Sequence, residues 1–191
     1  MTVKEIFSEL LAHKIKGMMI HEQMANYYHF LGLKGFMKCH ECHYFEESLS
    51  YRDLCSFYIK KYNMLPSHVD IDDPGMIPDS WFKYERQDVD TNTKRTAVKN
   101  GMEKWIEWEK DTKELLEKSF MQLYELNDIT GAMKIKKMLK DVNKEIECAE
   151  QESLDLSSVN FDISYIVSQQ EELCDKYDRE MKNCIYKLEK E

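Results

Sequence analysis

Apolar residues recur every three or four positions along most of this chain, which is the period of an α-helix with one buried face. The pattern predicts a first helix over about residues 3–31 and a second over about 36–64. Gly32 and Gly35 lie in the short link between them, where glycine typically ends a helix and starts a turn. A link this short makes the two helices antiparallel neighbours.

The helical pattern stops between about residues 65 and 92. All three prolines fall in this stretch, together with the aromatic group Trp81, Phe82 and Tyr84. A connection of this length is unusual within a compact domain, but it suits a crossover that runs along a helix bundle. The third helix is therefore expected to start at the same end of the bundle as the second.

A third helical segment begins near Thr91 or Thr93, either of which suits an N-cap. It ends at Asn127–Asp128, where the aspartate can cap a fourth segment. The chain is thus predicted to be all-α, with an antiparallel four-helix bundle and one long crossover in residues 1–154. Residues 155–191 add a C-terminal helix that packs on the bundle or on a partner subunit.

The composition narrows the classes of function. With 27 basic and 36 acidic residues the formal net charge is −9, opposite to that of most nucleic-acid binders, so we expect no nucleic-acid partner. Charged residues interrupt the segment 1–20, which argues against a signal peptide or a membrane span there, and we expect a cytoplasmic protein without a membrane partner. The six cysteines are then expected to be reduced thiols.

Four glutamates, each on a different predicted helix, fall at core-facing positions of the apolar pattern: Glu22, Glu47, Glu109 and Glu145. Carboxylates removed from water are costly unless they share protons or bind a cation. A single glutamate on such a stripe is more often a boundary residue whose charged end reaches water. Four that converge on one core predict a site.

The first hairpin is expected to bring histidines to the same place. Residues equidistant from its turn lie opposite one another, which pairs Glu22 with Glu47 and His29 with His40. His43 lies one helical turn before Glu47 and shares its face. Hard oxygen ligands with a few imidazoles suit iron or manganese, and carboxylates that bridge two ions offset their mutual repulsion.

The segments that carry these residues resemble the ferritin-like superfamily of di-iron and di-manganese carboxylate proteins. Residues 21–28, which read His-Glu-Gln-Met-Ala-Asn-Tyr-Tyr, look like the metal-binding segment of the family's first helix. Residues 35–57 are similar to its second helix, and this similarity places Glu47 on the bridging glutamate.

The likeness extends over roughly residues 9–152. Glu145 follows Glu109 by 36 positions, and the break at Asn127–Asp128 falls where bacterial ferritins break between their third and fourth helices. The resemblance implies a bundle that binds one or two iron or manganese ions and carries out ferroxidase, peroxide or oxidase chemistry. The ligands it implies, with one auxiliary histidine added, are Glu22, Glu47, Glu109, Glu145 and His43.

Two departures from the family pattern keep a second function open. Ser50 stands where the family has a metal-binding histidine, and Val142 stands where a ligand from the second half is expected. A bundle without catalysis would act as an interaction module that docks a protein partner, and a phage or mobile element would be an unsurprising source. The long acidic last helix and the bulky crossover argue against a storage cage, and the apolar positions of the last helix are expected either to form a homodimer or to pack back on the bundle.

Residues 39–43 read Cys-His-Glu-Cys-His, which matches the signature of covalent haem attachment and half of a zinc knuckle. Haem is attached in this way outside the cytoplasm, and no second cysteine pair follows at zinc spacing. We therefore expect Cys39 and Cys42 to be ordinary thiols on a helix beside the polar seam.

Overall fold

The computed structural model describes residues 1–66 and 89–190, and within these ranges it consists of helices without a β-strand. The helices are α1 (Val3–Leu31), α2 (Lys34–Tyr62), α3 (Thr91–Glu125), α4 (Ile129–Ser158), α5 (Ile163–Ser168) and α6 (Gln170–Lys190). Most of the predicted crossover, including its aromatic residues Trp81, Phe82 and Tyr84, lies outside the described residues. None of the described helices combines the length and apolar character that crossing a bilayer requires.

The first two helices form an antiparallel hairpin as predicted, but α2 begins at Lys34, so Gly35 lies inside the helix and not in the link. A capping box fixes the start of α1, because the Thr2 hydroxyl accepts the Glu5 backbone N–H while the Glu5 carboxylate accepts that of Thr2. At the other end Gly32 has a φ of 72°, in the left-handed region that glycine enters without strain. Only two residues link the helices, so α1 and α2 pack side by side along their length.

The second hairpin, α3–α4, is capped by two aspartates. The expected cap at Thr91 or Thr93 is wrong, because the Asp90 carboxylate accepts the Thr93 backbone N–H and both threonines lie inside the first turn. Asp128 caps α4 as predicted, by accepting the Gly131 N–H at 3.0 Å. Lys61 and Tyr62, at the end of α2, also bind this carboxylate and tie the two hairpins together.

Two apolar clusters fill the bundle. One surrounds the α1–α2 turn and includes Tyr28 and Trp105, and the other lies at the opposite end around Phe7, Tyr58 and Leu123. Between the two clusters every helix of the bundle contributes a polar or charged side chain instead. The candidate site lies in this central layer.

Close packing between α1 and α3 depends on Gly101. A Cβ at this position would overlap the Tyr28 hydroxyl, which points at the Ala97 carbonyl oxygen, and would lie 3.0 Å from Met24 Cε. We expect Gly101→Ala to lower the unfolding free energy in urea by at least about 2 kcal/mol, the usual scale of overpacking. In a Tyr28→Phe background the same change should cost at most half as much, and equal costs in both backgrounds would contradict this explanation.

The chain after the bundle folds back onto it. The bundle was expected to end at residue 154, but α4 continues to Ser158. Its last turn is held by Leu156, which is buried. Helix α6 then packs along α2 of the same chain. The Gly35 N–H donates to Gln170 Oε1 at 2.7 Å, and a Cβ on Gly35 would lie 2.7 Å from Leu173 Cβ. This contact brings the start of α6 directly against α2.

Candidate metal centre

A cavity of about 370 Å³ lies in the central layer of the bundle. Its lining includes Glu47 from α2, Glu109 from α3 and Glu145 from α4. Glu47 is 6% exposed and Glu109 only 1%, whereas Glu145 is half-buried. The structure therefore brings together three of the four glutamates that the sequence placed in the core.

The fourth position in this layer is taken by a lysine. Lys14 Nζ lies 2.9 Å from one Glu47 carboxylate oxygen and 3.2 Å from the other, and both side chains are buried. Burial lowers the pKa of Lys14, but Glu47, Glu145 and Glu109 more than offset this, so its pKa is raised and the ammonium keeps its charge. An internal cation thus already faces the carboxylates.

Gly17 provides the space for this ion pair. A Cβ at that position would lie 3.1 Å from Glu47 Cδ and 3.1 Å from Trp108 Cζ2. Because α1 has no side chain there, the carboxylate fits between α1 and α3.

Glu109 is the most deeply buried of the three carboxylates. Its Oε2 atom is buried and has no hydrogen-bond partner among the described residues. Burial, reinforced by the neighbouring Glu145 and Glu47, raises the pKa of Glu109 well above the usual range. Burial also raises the pKa of Glu145. Without a cation this shift favours the protonated form of Glu109, and a bound cation would compete with that proton.

His43 lines the same cavity. Its Nδ1 atom lies 2.9 Å from Glu46 Oε2, and its Nε2 atom is buried without a hydrogen-bond partner in the described part of the chain. Burial lowers the pKa of His43, but the Cys39 and Glu46 side chains more than offset it, and the pKa lies well above its usual value. A metal ion bound through Nε2 would have to release a proton first.

The prediction that Glu22 faces the core is wrong. Its side chain is exposed on α1 and accepts a hydrogen bond from Asn26 Nδ2 at 3.2 Å. The expected pairing of His29 with His40 is also wrong, since His29 is exposed and its ring nitrogen instead lies against Met37 Sδ.

The error arises from the register of the first hairpin. The contacts that form are those of Lys14 with Glu47 and His21 with His40, so the residue of α1 that meets a given residue of α2 lies about two helical turns earlier than expected. Glu22 follows His21 directly and points about 100° away from it around the helix, toward solvent.

A second polar layer, of histidines, lies beside the first. His21 Nδ1 and His40 Nδ1 are 3.0 Å apart and both side chains are buried, so one ring donates to the other. This contact requires at least the accepting ring to be neutral, because an imidazolium has no nitrogen that can accept. In agreement, burial lowers the pKa of His21 well below its usual value, and burial together with His43 lowers that of His40 to about 3. His40 was expected in this seam, whereas His21 was not.

Sequence reasoning missed Lys14, although a signal for it exists. Lys14 continues the stripe formed by Leu10, Leu11 and Gly17, which are all buried on the core face of α1. A lysine at such a position is rarely buried without an acidic partner. The three glutamates on the other helices supply that partner.

The three carboxylates and His43 line one cavity, but among the described residues no three of them bring their ligand atoms within 4.8 Å of one another, so a cation would have to draw them together. Once Glu109 and His43 have lost their protons, three carboxylates and one ammonium carry formal charges of −3 and +1, which leaves −2 for a metal ion to balance. Glu109 supplies an oxygen without another partner, and His43 supplies a nitrogen. Ser50 and Val142 also line the cavity, and the buried Val142 offers no donor, so the ligands for a second ion are lacking on that side.

Comparison with known proteins identifies similar structures only. No protein-family model and no curated protein matches the sequence. An Archaeoglobus fulgidus ferritin engineered into a closed form matches with a TM-score of 0.73 at 15% identity, covering 91% of this chain and 96% of that chain. The open-pore ferritin of the same archaeon gives 0.73 and 15% over 90% and 94%, and a humanized archaeal ferritin gives 0.73 and 18% over 90% and 94%. The chain shares the fold of these proteins.

Proposed function

We propose, from the ferritin-like fold of this chain and the acidic layer inside it, that the protein binds one iron or manganese ion without haem. Glu47, Glu109 and Glu145 would hold the ion, and His43 would add a nitrogen ligand. The observation that supports this most directly is Glu109, a fully buried carboxylate with an unpartnered oxygen beside two other carboxylates. Oxygen-rich ligand sets with an imidazole suit these metals.

Lys14 defines how this centre would differ from a two-ion centre. Its ammonium contacts both oxygens of Glu47, so a positive charge from α1 already compensates this carboxylate. The ammonium of Lys14 thereby supplies part of the positive charge that a second metal ion would supply. We therefore expect one ion per chain rather than two.

A bound iron or manganese ion supplies redox chemistry with dioxygen or peroxide, so ferroxidase, peroxide or oxidase activity would reside in this cavity. The surrounding side chains would keep this chemistry away from bulk water and hold one ligand in place. The two apolar clusters exclude bulk water above and below the layer, and Lys14 holds Glu47 in one orientation. The cavity lining includes exposed residues of α2 and α4, Asp53, Lys137 and Asp141, so a small reactant would enter from this side.

Metal content tests this proposal. Protein incubated anaerobically with Mn(II) and desalted should retain about one manganese per chain, measured by plasma mass spectrometry. Manganese is chosen because thiolates bind it weakly, so cysteines contribute little to the count. Glu109→Gln should reduce retention at least tenfold, while the matched change Glu103→Gln, at an exposed position of the same helix, should not alter it. Retention by Glu109→Gln, or none by the unmodified chain, would refute the proposal.

Lys14 also favours a second candidate function, a metal-free scaffold. With Glu47 paired to Lys14 and Glu109 protonated, the bundle can close without an ion. A scaffold needs a docking surface, and large apolar side chains are exposed around the α3–α4 turn: Met121, Tyr124, Leu126, Ile129 and Met133. Absence of bound manganese and iron, combined with a dimer in multi-angle light scattering, would support this function over the first.

A further inference from the structure

Cysteines from two helices meet a carboxylate beside the central layer. Cys42 and Glu46 lie one turn apart on α2, and Cys184 approaches them from α6. One potential ligand atom of each residue lies within 4.8 Å of the others. Both cysteines are almost fully buried, with exposed fractions of 1% and 5%.

We propose that Cys42, Cys184 and Glu46 form a binding site for a thiophilic divalent cation such as zinc, which fastens α6 to α2. Two thiolates and one carboxylate provide three of the four ligands of a tetrahedral zinc ion. Zinc–sulfur bonds of about 2.3 Å place two ligand sulfurs just under 4 Å apart, so adjustments of about 1 Å or less suffice.

The carboxylate of this site is oriented by a neighbour. His43 Nδ1 lies 2.9 Å from Glu46 Oε2, and such contacts commonly position a ligating side chain. Glu46 is partly exposed, and Glu46, His43 and Cys184 all line the acidic cavity. Water from the cavity would be available as a fourth ligand, because two of the three ligand residues line it.

This site differs in chemistry from the carboxylate centre. Two sulfur ligands select zinc or cobalt over manganese, whereas the central layer has only oxygen and nitrogen donors. The proposal does not depend on metal binding by Glu109. It assigns a role to Cys42 and to the extra helix α6, which the carboxylate centre does not use.

Cobalt(II) provides a direct test, because thiolate ligands give Co(II) an intense charge-transfer absorption in the near ultraviolet and a tetrahedral site gives strong visible bands. Fully reduced, chelator-treated protein should develop both on addition of one equivalent of Co(II), and zinc should bleach them. Cys42→Ser and Cys184→Ser should each weaken cobalt affinity at least tenfold. Cys148→Ser is the matched control, since Cys148 is exposed on α4, and it should bind cobalt like the unmodified chain.

Two further measurements keep the outcomes distinct. Glu109→Gln should retain the thiolate band even if it loses manganese, which separates this site from the carboxylate centre. Zinc should raise the Tm of the unmodified protein but not that of Cys184→Ser, because the ion joins α6 to α2. No thiolate band in the reduced protein, or an unchanged band in both cysteine variants, would overturn the proposal.

Discussion

Replacing Lys14 by methionine is expected to lower the unfolding free energy of the metal-free protein by about 3–5 kcal/mol. The ammonium is buried and contacts both oxygens of Glu47. Its removal leaves Glu47 without the cation that contacts it, and His43 is then the remaining cationic side chain named in this cavity. Urea unfolding in the presence of a chelator measures the effect, and the loss should shrink at acidic pH because protonation removes the stranded charge.

The matched control is the double variant Lys14→Met with Glu47→Met. It removes both charges and keeps the volume of both side chains, so its stability should return to that of the unmodified protein or exceed it by about 1–4 kcal/mol. An unchanged stability of Lys14→Met alone would show that the ammonium does not compensate Glu47. A double variant as unstable as the single one would instead point to a packing defect.

Replacing Lys14 by glutamate is expected to raise the number of bound manganese ions from one to two per chain. The change converts the charge of the layer from −2 to −4, and it places a carboxylate from α1 beside those of the other three helices. The metal-free variant should be poorly stable, and manganese should raise its Tm far more than that of the unmodified chain. Plasma mass spectrometry and thermal unfolding with and without the ion measure the two effects.

Lys14→Gln separates the effect of charge from that of the new ligand. It removes the cation without adding a carboxylate, so it should still retain about one manganese. Two ions in Lys14→Gln would show that the lysine only repels the second ion and that no ligand from α1 is needed. One ion or none in Lys14→Glu would contradict the interpretation of Lys14 as a substitute for a bound cation.

The helical period of the sequence was sufficient to predict the bundle. The short link at Gly32 required an antiparallel hairpin, and Asp128 had the side chain and position of an N-cap. The same period placed Glu47 and Glu109 on the buried faces of their helices, where the structure has them. Each of these features is local, because it depends on residues within one or two turns of each other.

The parts that the sequence did not reveal depend on the register between helices. A shift of about two turns in the first hairpin replaces Glu22 by Lys14 opposite Glu47 and His29 by His21 opposite His40. About half of that shift follows from the position of the link, because α1 ends at Leu31 and α2 already begins at Lys34, so the turn lies about two residues earlier than the sequence suggested. The approach of Cys184 to Cys42 is likewise a tertiary contact, between residues far apart in the chain.

The lysine in the acidic layer also has a genetic consequence. Both lysine codons differ from glutamate codons by a single nucleotide in the first position, so Lys14→Glu lies one point mutation away. A variant with a more acidic layer can therefore arise in one step, without a third amino acid at position 14 in between. If lysine is kept at this position although the change to glutamate is so accessible, selection favours a bundle that is stable without a bound metal ion.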